Sequence, residues 1–227
     1  MMGAATLTLS QVNAALIASD DFSAEGSGTG FAAASNWGTG NVSGGEYSTG
    51  TENFRNFAVT TPSSNTEYWA SIEFSLAANS WGGLSFFNGG SEVLLLGRDT
   101  GHAFWGIDGR FVADTYSTVA FVADETVHLL ARLEFDVNGG GTPDQVSLWV
   151  NPSDTTSLAT LGTPSATVAD NNLGPYTRLR LGTGSSSLTA DNLYIGTTLA
   201  DVTPVPEPSS AALLGLAGIA TLLRRRK

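Results

Sequence analysis

Residues 65–76 read NTEYWASIEFSL, and the way these letters alternate decides the fold. Tyr68, Ala70, Ile72, Phe74 and Leu76 take every second position, with Glu67, Trp69, Ser71, Glu73 and Ser75 between them. A period of two places the two sets on opposite faces of a β-strand. The same beat returns at 126–137, TVHLLARLEFDV, where Val127, Leu129, Ala131, Leu133, Phe135 and Val137 oppose His128, Arg132, Glu134 and Asp136. Beyond a glycine-rich turn it recurs in QVSLWV, with Val146, Leu148 and Val150 inward. RLRLG (Leu179, Leu181) and NLYIG (Leu193, Ile195) repeat it again. Further strands are predicted at 53–60, 83–87, 93–97 and 102–107. No stretch before Ala211 keeps a helical period. Short strands separated by frequent turn signals predict an all-β fold, an antiparallel two-sheet sandwich occupying 15–199 as one domain.

Composition agrees with that architecture. Apolar residues make up 41% of the 227 and charged ones only 14%, with 27 glycines, so the chain can bury a core and is not disordered. Cysteine is absent, which removes disulfides and thiolate metal sites. The net charge is −11, and the only lysine closes the chain at Lys227. With no basic face to neutralise phosphates, a nucleic-acid partner is excluded.

The two ends differ from this body. Residues 1–14 resemble the latter part of a secretory signal, truncated and lacking its basic start, with Val12-Asn13-Ala14 fitting the small-residue cleavage rule. At the other end, a linker predicted over 200–204 leads into VPEPSSAALLGLAGIATLLRRRK. Residues 211–223 are uncharged and precede Arg224, Arg225, Arg226 and Lys227. As a short C-terminal hydrophobic helix they would extend about 20 Å, against roughly 30 Å of hydrocarbon core. Snorkelling arginines bring a marginal span within reach, and the basic stop would stay cytoplasmic.

Val205-Pro206-Glu207-Pro208, the following apolar helix and the arginine run together resemble a PEP-CTERM sorting signal. That resemblance implies export in a Gram-negative-type bacterium, passage through the inner membrane, and an exosortase-type enzyme as processing partner. It further implies delivery to a cell surface or exopolysaccharide matrix. ASDDFS at 18–23, VSLWVNP at 146–152 and ADNLYIGTT at 190–198 are similar to a LamG-like or concanavalin-A-like jelly roll, which implies that topology for the sandwich.

Several candidate sites follow. In DVNGGGTPD, Asp136, Asn138 and Asp144 stand at positions 1, 3 and 9 of a calcium loop, making calcium the candidate cofactor. Gly140 and Ser147 depart from the pattern, and a glycine-rich hairpin turn accounts for the same letters. Asp20, Asp21 and Asp191 are further loop carboxylates open to a cation. Glu134-Phe135-Asp136-Val137-Asn138 is similar to the catalytic strand of laminarinase-type glycosidases. Asn138 stands where that strand needs its second glutamate, so the general acid is missing. His102 and His128, the only histidines, show no triad pattern.

Trp69 and Trp149 fall opposite the apolar faces of their strands, and Trp37, Trp81 and Trp105 sit beside glycines in predicted loops. Exposed rings could stack on sugars, while buried ones would close the sandwich. The sequence therefore predicts an exported, non-catalytic binding or structural module associated with extracellular polysaccharide. The alternatives are a glycosidase on the same fold and a structural matrix protein without ligand.

Overall fold

The computed structural model describes residues 15–203 apart from 25–26, 33–36, 39, 44, 59–66, 110–112, 136–143 and 172–174. In chain order its strands are β1 (Leu16–Asp20), β2 (Asn41–Ser43), β3 (Glu46–Thr49), β4 (Asn53–Asn56), β5 (Glu67–Leu76), β6 (Gly82–Asn88) and β7 (Ser91–Arg98). There follow β8 (Phe104–Gly109), β9 (Thr115–Ala120), β10 (Val127–Glu134), β11 (Asp144–Val150), β12 (Ala166–Asn171), β13 (Arg178–Thr183) and β14 (Leu188–Gly196). Two single-turn helices, α1 (Leu158–Leu161) and α2 (Leu199–Val202), complete the described elements.

The strands form two antiparallel sheets, a jelly-roll sandwich. The larger runs β12-β11-β10-β5-β14-β3-β2, with β1 paired to the second half of β14. The smaller runs β4-β13-β6-β7-β8-β9. The apolar face of β5 is buried against the smaller sheet together with Leu84, Phe86, Leu94, Leu96, Ile107, Leu179 and Leu181. Phe74 meets Trp105 edge-on across the layers, ring centres 5.2 Å apart. The alternation read from the sequence is thus the inside–outside alternation of the sheets. Strand 53–60 is shorter than predicted and 102–107 starts two residues later, leaving His102 in the preceding turn.

One edge of the core is polar. Asp20 is buried, pairs with Arg55 and accepts from Trp37 Nε1 at 2.9 Å, Ser27 Oγ at 2.6 Å and the Phe22 N–H at 2.9 Å. A buried carboxylate needs this degree of satisfaction, and removing one partner of such a pair costs about 3–5 kcal/mol.

The predicted linker begins too early. Thr198 starts α2, its N–H donating to Asp201 Oδ2 at 2.8 Å, and Val202 is fully buried. Leu199–Val202 therefore belongs to the sandwich. Residues 1–14, and the tail from 204 with its predicted helix at 211–223, lie outside the described residues, as do Asp136 and Asn138. Among the described residues no helix is long and apolar enough to cross a membrane.

Candidate functional site

The two outer faces of the sandwich carry the remaining chemistry, and they are covered to different degrees. On the smaller sheet, Leu179 and Leu181 point inward, so Arg178, Arg180 and Gly182 face out. The register aligns Gly182 with Gly83, Gly83 with Gly97, Gly97 with Gly106, and Gly106 with Tyr116. A Cβ on Gly83 would lie 2.3 Å from the Leu96 carbonyl oxygen, and one on Gly97 2.3 Å from that of Gly82. Neighbouring strands approach too closely there for a side chain. The row leaves a bare backbone floor of about 14 Å across four strands.

Aromatic groups bound that floor. Trp81 is half-buried and lies over Gly182 and Gly184, where an added Cβ would come within 3.4 and 2.6 Å of its indole. Its carbonyl accepts from Thr183 Oγ1 at 2.8 Å, fixing the ring to the end of β13. At the opposite end His102 stacks on Tyr116, ring centres 3.8 Å apart, and Tyr116 Oη donates to Asp114 at 3.1 Å.

Along one side runs a ladder of cations and rings. The Arg180 guanidinium sits 4.6 Å from the Trp81 ring centre and 5.2 Å from Phe87, and Arg178 sits 4.9 Å from Phe87 and 4.3 Å from Phe54. Arg180 is tied to Ser85 Oγ at 2.9 Å, to Glu52 at 3.2 Å and to Glu92. Glu92 and Asp108, with Gly90 and Ser91, line a hollow of about 440 Å³ beside the ladder. Partial burial, with Asp114, Asp99 and Glu92 as like-charged neighbours, pushes the Asp108 carboxyl up to about 6. The face thus combines a stacking surface, fixed acceptors and fixed donors.

Among the described residues the larger sheet presents no such surface. Trp69 and Trp149, candidate stacking rings opposite the apolar faces of their strands, are only 2% and 4% exposed. They stack on each other with centres 5.9 Å apart and are enclosed by Leu130, Leu161 and Val202. The two short helices supply that cover, so neither ring can meet a sugar. Trp37 and Trp105 are likewise core residues. Of the five tryptophans only Trp81 keeps an accessible place.

The remaining sequence candidates fall elsewhere. Asp144 opens β11 as a buried residue, while its proposed calcium partners Asp136 and Asn138 are outside the described residues. Asp20 is occupied by Arg55, Trp37 and Ser27. Asp21 is exposed, its carboxyl held low by Ser23, and burial raises that of Asp191. Among the described residues no three His, Asp or Glu side chains gather as a metal site. The structure does bring His128 Nε2 within 2.9 Å of Ser71 Oγ, a contact absent from the sequence reading. Burial lowers the His128 pKa, and Ser71 is 3% exposed, so this hydroxyl is closed to a substrate carbonyl. Sequence reasoning also passed over Arg178, Arg180 and the glycine row. The arginines were visible as the outward beat of RLRLG, whereas the glycines align only through strand register.

Residues 204–227 match the PEP-CTERM protein-sorting motif. The chain therefore carries the signature of an exported surface protein handled by exosortase-type sorting. No curated protein sequence matches it. Solved structures similar to it include alginate lyase AlgAT5 from Polysaccharide Lyase family 7, at 8% identity and TM-score 0.43, covering 63% of this chain and 68% of that one. Another is among the endo-acting O-glycanases that members of the human gut microbiota express to initiate mucin breakdown, at 8% identity and TM-score 0.45, covering 80% and 98%. A third is the carbohydrate recognition domain of Emp46p, at 8% identity and TM-score 0.39, covering 69% and 84%. These are likenesses of fold alone.

They nonetheless correct one expectation. The sequence reading took the chain as non-catalytic, with a glycosidase as the alternative, yet chains of similar fold include a polysaccharide lyase and glycanases, so the sandwich gives no ground for setting an enzyme aside. The amide at Asn138 counts against one arrangement of carboxylates and no more.

Proposed function

We propose that this exported protein holds extracellular polysaccharide against the outer face of its smaller sheet. The supporting observation is Trp81, laid over glycine backbone and braced by Arg180 at the end of a side-chain-free floor. A pyranose ring presents an apolar face to an aromatic ring and a rim of hydroxyls to polar neighbours. Trp81 supplies the ring, while Glu92 and Asp108 supply acceptors along the rim. The sorting motif supports delivery to the surface, with the tail processed between Val205 and Lys227 by an exosortase and residues 211–223 lying in the membrane until then.

Affinity electrophoresis through gels containing dextran, a soluble β-glucan or partly esterified polygalacturonate tests the binding claim. Wild type should be retarded by at least one of them, and Trp81→Ala should weaken that retardation about tenfold. Equal retardation of the two proteins, or none for wild type, would remove the claim. Intact mass of the surface-extracted protein tests the sorting claim, with loss of mass C-terminal to Val205 as the expected result.

A further inference from the structure

The proposed glycan face carries a cation that its own carboxylates leave unmatched. Arg180 is paired with Glu52 and Glu92, Arg132 with Glu67 and Glu134, and Arg55 with Asp20. Arg178 differs. Its guanidinium lies between Phe54 and Phe87, with Nε shielded from solvent, and among the described residues it has neither a hydrogen-bond acceptor nor an acidic partner. The phenyl rings hold it flat and partly desolvated but accept none of its N–H hydrogen bonds. Arg98 also lacks an ion pair, but it is buried and donates to the Ser80 carbonyl and to Asn79 Oδ1, whereas Arg178 is partly exposed and among the described residues donates to neither kind of acceptor.

Its place on the strand gives this cation a use. Arg178 and Arg180 both face outward on β13, about 7 Å apart. Trp81 lies beyond Arg180, 4.6 Å from it. A sugar chain stacked on Trp81 and running along β13 reaches Arg178 within a short oligosaccharide. The planar guanidinium fork matches a carboxylate better than it matches hydroxyls.

We propose that Arg178 receives the carboxylate of an acidic sugar, so that the ligand is a uronate-containing polysaccharide. This rests on the reading that Trp81 marks the glycan face. The ligand class is narrower still. A net charge of −11 repels a densely charged polyanion, and the same face carries carboxylates at Glu92, beside Arg180, and at Asp108 and Asp114 farther across the sheet. The chain that fits carries spaced acid sugars with neutral ones between them, whose hydroxyls donate to those carboxylates.

The test compares polygalacturonate half-esterified with methanol against the fully esterified chain, which has the same backbone and no charge. Wild type should bind the half-esterified form about tenfold more tightly. Arg178→Gln should bring the ratio of the two affinities close to one, and Arg178→Lys should restore part of it. Thermal unfolding of each variant shows that it is folded. Equal affinity of wild type for the two polymers, or a preference that survives in Arg178→Gln, would overturn the proposal and leave the glycan face standing. No binding of either polymer, by a wild type that retains a neutral glycan through Trp81, overturns it as well. Failure to bind every glycan tested would remove the underlying reading, and this inference with it.

Discussion

The two outer faces of this sandwich start from the same kind of sequence and end differently. Each places tryptophan and arginine outside a strand whose other face enters the core. On the larger sheet, α1 and α2 fold back over Trp69 and Trp149 and make a second small core with Leu130 and Val202. On the smaller sheet Trp81 lies over glycine backbone with Arg180 beside it. An aromatic residue on the polar beat of a strand is therefore cover or contact surface according to what the rest of the chain lays over it. Burial of an indole contributes mainly to stability, and partial exposure makes it available for recognition.

Substitutions sharpen this contrast. The largest effect is expected for Trp149→Ala, which should cost about 4 kcal/mol in urea unfolding while leaving retardation by polysaccharide unchanged. Val202→Ala removes buried methyls from the same cover and should cost about 2 kcal/mol by the same measurement. Trp81→Ala reverses the pattern, costing about 1 kcal/mol or less because the ring is half-exposed, yet weakening polysaccharide retention. A large loss of stability there would make Trp81 a structural residue like the others.

The smallest effect concerns pH. Asp108 keeps its proton up to about 6 when folded, above the ordinary carboxylate value of 3.8. A raised folded value favours the folded state below about pH 4, and the advantage is lost as pH rises through 6. Thermal unfolding of Asp108→Asn should lack that decline, differing from wild type by about 1 kcal/mol or less after solvent screening of a half-buried group. Identical pH profiles would show that Asp108 does not titrate in this window.

Strand positions and the inward set were legible because alternation reports burial on one face directly. Leu129-Leu130 also held a clue to the other face, since an apolar residue on the polar beat beside Trp69 and Trp149 signals a covered surface. The cover itself was not legible, because four-residue helices are too short to leave a periodic pattern. Reading 200–204 as a linker followed from the same cause. Gly83, Gly97, Gly106 and Gly182 are scattered along the chain and meet only through register, which single-strand patterning does not specify. Asp20 looked like one of several loop acids until Arg55 and Trp37 folded onto it.

The most direct measurement is the set of indole Nε1–H resonances in a two-dimensional nitrogen–proton spectrum, followed while the polysaccharide most strongly retained in electrophoresis is added as soluble oligosaccharides. The signal of Trp81, assigned through Trp81→Phe, should shift in proportion to occupancy while those of Trp37, Trp69, Trp105 and Trp149 stay in place. Shifts centred on Trp69 or Trp149, with Trp81 unmoved, would show that the covered face binds and would contradict the account.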